Sequence, residues 1–288
     1  MMFEVLHRTA YEYDAPVTLS YAELHQQPRD IDGQVCLQQT IMSQPEANHR
    51  RERHDYFGNV ATVLAIREPH TRFEVTSSSL VDTSGRPAVF SPVAEAPWET
   101  FAELTNHDLT AAEFVLDSPL VHRSADLATY AAPSFRPGVS LAAAVLDLNH
   151  RIFTDFKFDP KATQIDTPIE EVLTIRRGVC QDFAHVLIGC LRSTGVAACY
   201  VSGYLETRPP PGQPRLAGVD RTHAWVGVHL GGSSWIGVDP TNDQIAAASY
   251  VTVAHGRDYS DVPPLKGVIF TDSEKSELSV SVDVKPVG

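Results

Sequence analysis

The chain has 288 residues and a formal charge of −13, with 23 Lys and Arg against 36 Asp and Glu. That sign argues against nucleic-acid partners, because neutralising phosphates takes a surplus of cations. Apolar residues make up 43% of the chain, enough for a sizeable core, and no apolar run exceeds six residues. A membrane-spanning helix needs about 20, so no membrane partner is expected. The opening MMFEVLHRTAYEYD has no secretory pattern, and Cys36, Cys180, Cys190 and Cys199 form no CxxC pair. The expectation is a cytoplasmic protein with free thiols.

Residues 1–95 read as an amino-terminal β-domain. Alternation runs through Val60, Val63 and Ala65 and again around Phe73 and Val75, and DYFGNV sets Gly58 and Asn59 in a turn. Pro87, Pro92 and Pro97 precede a change to helical period at Trp98, so a second segment, 96–288, begins there with a helical lead-in and ends in carboxy-terminal strands. SLAAAVLDLNHRIF predicts a helix with Leu141, Val145, Leu148 and Ile152 on one face and Ser140 as its cap. Thr167-Pro168-Ile169-Glu170 reads as a capping box opening the next helix.

Gly178 is expected to break that helix, and Phe183, Val186, Leu187, Cys190 and Leu191 recur at helical spacing until Gly195. Cys180 thus stands at a helix start, where unpaired N–H groups and the dipole favour the thiolate. A half-buried structural thiol is the competing assignment, and this segment alone leaves both open. Further on, THAWVGVHL and WIGVDPT alternate around GGSS as a hairpin. With GGS as the loop, Leu230 faces Ser234, Trp225 lies opposite Asp239, and His223 is the diagonal neighbour of Asp239, about 7–8 Å away at the backbone. Cys180, His223 and Asp239 then form an ordered triad of the cysteine-nucleophile type, 43 and 16 positions apart.

These motifs, GVCQDFAH, GYL at 203–205, HAW at 223–225 and DPTN at 239–242, with HRTAYEY and DYFGN upstream, resemble the bacterial two-domain transglutaminase-like family, grouped with cysteine proteases. The resemblance implies an α+β fold, a papain-like core preceded by a mostly β amino-terminal domain. It gives Cys180, His223 and Asp239 the roles of nucleophile, general base and acid, and orienting carboxylate. It implies no cofactor, and nothing resembles a calcium loop. The expected substrate is a peptide, protein or small amide, with hydrolysis favoured over amine transfer, and the added β-domain is compatible with a homo-oligomer. The tryptophan that animal transglutaminases carry upstream of the cysteine has no counterpart here, since the tryptophans are Trp98, Trp225 and Trp235. The oxyanion site is therefore unassigned beyond the Cys180 N–H, with Gln164 and Gln181 as candidate amides.

Asp182 and His185, one turn apart, raise the alternative of a metal-dependent hydrolase that also uses His223, but a structural role behind the catalytic helix is expected instead. His229 shares a strand face with His223 and is placed along the cleft without a catalytic role. A catalytically silent peptide-binding or assembly module on the same fold is the rival from another class. The Pro-rich stretch 209–214 reads as a loop, weighed equally as a linker and as a wall of the acyl-donor cleft.

Overall fold

In a computed structural model that describes residues 1–105, 107–206 and 222–287, the chain opens on an extended strand, β1 (Met2–Leu24). Its first half buries Phe3, Val5, His7 and Thr9 and exposes Glu4, Leu6 and Arg8, the two-residue period of a sheet with one covered face. Four more strands follow: β2 (Val35–Gln44), β3 (His49–His54), β4 (Val60–Ile66) and β5 (His70–Asp82). The helical region comprises α1 (Trp98–Thr105), α2 (Leu109–Ala112), α3 (Ala125–Ala131) and α4 (Leu141–Asp155). Two short parallel strands, β6 (Lys157–Phe158) and β7 (Arg177–Gly178), flank α5 (Ile169–Ile175), and α6 (Cys180–Ser193) comes next. The remainder is β8 (Ala198–Leu205), β9 (Thr222–His229), β10 (Trp235–Asp239), β11 (Gln244–Ile245), β12 (Tyr250–Gly256), β13 (Leu265–Thr271) and β14 (Ser276–Pro286).

Two antiparallel sheets result. The second runs β11-β10-β9-β8-β12 and supports α6. The first is organised around β1, flanked on both sides by β5 and β14 along its first half and by β4 and β13 along its second. The strands within 265–286, grouped by sequence with the second segment, thus complete the first sheet. Their alternation is visible in the sequence, but pairing with β1 is a contact between the two ends of the chain that no local pattern records.

Helix α6 is the centre of the core: Phe183, Ala184, Val186, Leu187, Ile188, Cys190 and Leu191 are buried, and the same cluster takes in Leu141, Val145, Leu148 and Ile152 of α4. Phe3, Val5, Val81, Val282 and Val284 of the first sheet belong to it too, so both sheets share one core. Ser140 caps α4 by accepting from the Ala143 N–H, as its position predicts. The box expected at Thr167 does not form. Pro168 occupies the cap position, so Thr167 lies one residue too early and its Oγ1 accepts from the Gln164 N–H instead. Helix α5 ends at left-handed Arg176 (φ 51°), not at Gly178. Gly178 serves a different purpose: a Cβ there would lie 2.4 Å from Asp182 Oδ2.

Edge strand β12 is covered by two carboxamides that stand in for a neighbouring strand. Gln34 Nε2 donates to the Thr252 carbonyl and Gln34 Oε1 accepts from its N–H, both at 2.8 Å. Asn59 of the DYFGN turn does the same for His255, at 2.8 and 2.9 Å. His7 of HRTAYEY meets Tyr204 Oη of β8 through Nδ1 at 2.9 Å. The upstream motifs are therefore docking devices between the sheets. Replacing buried Gln34 with leucine leaves the Thr252 N–H unpaired and its C=O with only the Arg29 N–H, and should lower unfolding stability by about 1–3 kcal/mol in urea melts; an unchanged midpoint would mean that the carboxamide does not hold the sheets together.

Candidate active site

Cys180 is the first residue of α6 and is half-buried. The turn that presents it is fixed by Asp182, whose Oδ2 accepts from the Val179 N–H and from Thr163 Oγ1, both at 2.7 Å. Asp182 lies in the space that Gly178 leaves free. Burial raises its carboxyl above the usual range, against the pull of Thr163 and Val179.

His223 comes from β9 and Asp239 from the end of β10. The hairpin register is the expected one: Leu230 N–H donates to the Ser234 carbonyl and Gly227 pairs with Gly237, which carries on to set Asp239 across from Trp225. His223 Nε2 lies 2.7 Å from Asp239 Oδ2, and its side chain is also within hydrogen-bonding reach of Cys180. Nε2 is occupied by the carboxylate, so Nδ1 is the nitrogen left for the thiol. The structure thus brings Cys180, His223 and Asp239 together.

Asp239 is fully buried, and each of its oxygens has a distinct task. Oδ1 accepts from the N–H groups of Thr241 (2.8 Å) and Asn242 (3.3 Å), closing the turn after Pro240. Oδ2 faces His223 and accepts in addition from Tyr250 Oη (2.6 Å) and Asn242 Nδ2 (2.7 Å). The side chain that closes the turn is the one bonded to His223. From α4, Asn149 Nδ2 donates to the Asp239 carbonyl (3.2 Å) and to Asp243 Oδ1 (3.1 Å), anchoring the turn to the helical layer.

Burial pushes the Asp239 carboxyl up, but the charge and hydrogen bond of His223, with Asn242 and Tyr250, more than offset this and hold it below the usual carboxylate range. Burial alone would lower the pKa of His223; its bond to Asp239 and that carboxylate's charge dominate, with Cys180 adding to them, and raise it to about 10. Trp225, fully buried, backs the imidazole with ring centroids 6.1 Å apart and planes 29° from parallel. Gly203 of the GYL motif makes room for that indole, since a Cβ there would fall 2.5 Å from its ring.

Other candidates from the sequence go elsewhere. His185 is buried and its Nε2 accepts from the Tyr259 N–H (3.2 Å), while Asp182 is engaged by Val179 and Thr163. Neither shares a centre with His223, and among the described residues no three His, Cys, Asp or Glu are grouped to hold a metal ion. His229 is buried at the far end of its strand, with Nε2 2.9 Å from the Gly232 carbonyl, so it does not line the cleft. Gln181 Nε2 donates to the Ile165 carbonyl at 2.9 Å, committing that amide to the preceding loop. The stretch 209–214 lies outside the described residues. Sequence reasoning missed Tyr250, eleven positions beyond Asp239, and quoted Asn242 only as a letter of DPTN.

A cysteine on a helix facing a histidine on an antiparallel sheet is the papain-like α+β arrangement of transglutaminase-like proteins. Residues 3–82 match the family model of the bacterial transglutaminase-like N-terminal region, and residues 129–240 that of the transglutaminase-like superfamily. An uncharacterised protein of Mycobacterium tuberculosis is 44% identical over 290 residues, spanning 99% of this chain and 92% of its own. One from Mycobacterium leprae is 32% identical over 283 residues, 97% of each chain. Among solved structures, the "putative cysteine protease" of Cytophaga hutchinsonii superposes with a TM-score of 0.76 at 20% identity, over all of this chain and 92% of that one, and so shares the fold. This chain belongs to the bacterial transglutaminase-like family.

The pKa of His223 makes stability depend on pH in a defined direction. Unfolded histidine titrates near 6.5 and folded His223 near 10, so the native state holds a proton that the unfolded state has released between those values. This contribution is fully present below about pH 6.5 and is lost as pH rises through about 10. In urea melts from pH 6.5 to 10, Asp239→Asn should flatten the decline seen in the wild type; parallel slopes would show that Asp239 does not set the charge of His223.

Proposed function

We propose that the chain is a cysteine-nucleophile enzyme that cleaves amide or peptide bonds through a thioester, with water as the usual acceptor. The observation that carries this is the geometry: His223 Nε2 lies 2.7 Å from Oδ2 of buried Asp239, with half-buried Cys180 at the helix start within reach of the same ring; that arrangement raises the pKa of His223. An imidazolium that persists at neutral pH is the counter-ion a thiolate needs. It is also a proton source for a departing amine.

The Cys180 sulfur attacks the acyl carbonyl, and the oxyanion that forms faces the N–H groups at the start of α6. As the tetrahedral adduct collapses, the C–N bond breaks and the amine takes the proton from His223. The neutral imidazole then removes a proton from water, whose oxygen attacks the thioester and releases the acid with the thiolate restored. Asp239 stays ionised throughout and keeps the ring oriented. Water is favoured over an amine acceptor because the family resemblance leans to hydrolysis and the sequence specifies no amine site. The substrates that fit this chemistry are peptides, proteins or small amides.

The other thiols are a built-in control. Burial pushes Cys199 up to about 12, and Cys36 to about 11 with help from Asp30, and raises fully buried Cys190 further still. Iodoacetamide at pH 6–7 should therefore label Cys180 first and fast. Intact-mass spectrometry after exposure to a peptide-amide library should then show an acyl adduct on Cys180 that is absent from Cys180→Ala. Uniform slow labelling with no adduct and no turnover would replace the enzyme with a silent peptide-binding module.

A further inference from the structure

We infer that Tyr250, which lies outside the triad, is a positioning residue that fixes Asp239 on His223 and is itself set by the amino-terminal sheet. The inference rests on the cysteine-nucleophile reading of the site. Tyr250 is fully buried at the start of β12, and its Oη donates to Asp239 Oδ2 at 2.6 Å, the same oxygen that faces His223. Gln244 Nε2 donates to Tyr250 Oη, also at 2.6 Å. With that lone pair engaged, the hydroxyl hydrogen points to the carboxylate, so the direction of the bond is set from outside the triad. The ring meets Trp225 edge to face at 5.2 Å and lies 6.1 Å from the His223 ring, so one side chain touches the carboxylate and the indole behind the imidazole.

The backbone around Tyr250 is held from the connections that flank β2 and β5 of the first sheet. Arg86 donates to the Ala246 carbonyl (3.2 Å) and Thr83 Oγ1 to that of Ala248 (2.6 Å), before Tyr250 in the chain. Gln34 takes both polar groups of Thr252 two residues after it. Three residues from the first 86 thus bracket the tyrosine that bonds to Asp239. A strand clamped on both sides of a residue fixes its side chain more closely than a loop does.

The test is the pH dependence of Cys180 alkylation by iodoacetamide in wild type, Tyr250→Phe and Gln244→Leu. Removing the hydroxyl removes one of the bonds that keep Asp239 ionised, so Asp239 takes up a proton at higher pH and His223 loses its partner there. The acid limb should move up by about half to one pH unit in Tyr250→Phe, the size expected for one hydrogen bond. Gln244→Leu should move it the same way by less. Gln244 is exposed, so this variant keeps its fold even where the buried substitution does not. An acid limb unmoved in both variants, or a rate reduced by the same factor at every pH, would overturn the inference and leave Tyr250 a packing residue. A wild-type Cys180 that labels slowly and without an acid limb would instead overturn the nucleophile reading, and this inference with it.

Discussion

Everything in the site depends on a carboxylate with no exposure to water. An ionised Asp239 in that position is tolerable only because four groups supply it with donors: His223, Tyr250, Asn242 and the N–H of Thr241. The same burial removes the screening that would weaken its hold on His223, and the imidazole is left with a pKa of about 10. Desolvation, usually a reason for a histidine to lose its proton, here works through the partner to make the histidine keep it.

The rest of the fold can be understood as support for that pair. Hairpin β9–β10 sets His223 and Asp239 at a diagonal, and α6 carries Cys180 to them from a core that both sheets and five helices build. Asn149 ties the turn after Asp239 to α4. Gln34 and Asn59, in the turns of the first sheet, pin β12, and the last two strands of the chain complete that sheet by pairing with β1. The amino-terminal β-domain thus clamps the edge of the sheet that carries His223 and Asp239.

The grouping of Cys180, His223 and Asp239 was legible in the sequence because each member carries a local signal. Cys180 comes two residues after a glycine and opens an amphipathic run, and the alternation of THAWVGVHL and WIGVDPT around GGSS fixes parity, so that a single loop length determines the partner of His223. Capping at Ser140 could be read in the same way. What escaped the sequence reading is what no local pattern records. Tyr250 reaches Asp239 from the opposite edge of a five-stranded sheet, and no periodicity marks it. The partners of β13 and β14 lie at the other end of the molecule. Thr167 failed as a cap for a local reason, since the proline after it took the cap position. The motifs HRTAYEY and DYFGN signalled kinship, while their physical role emerged only from the contacts of His7 and Asn59 across the sheets.

The central claim is that buried Asp239 keeps His223 charged at neutral pH. The most direct measurement is a titration of the His223 ring nitrogens by nuclear magnetic resonance in protein labelled with nitrogen-15 at histidine, with Asp239→Asn used for assignment. A doubly protonated ring at pH 7–8 that releases its proton only near pH 10 is the predicted result. A ring that titrates near 6.5, the value of an unperturbed histidine, would contradict the account.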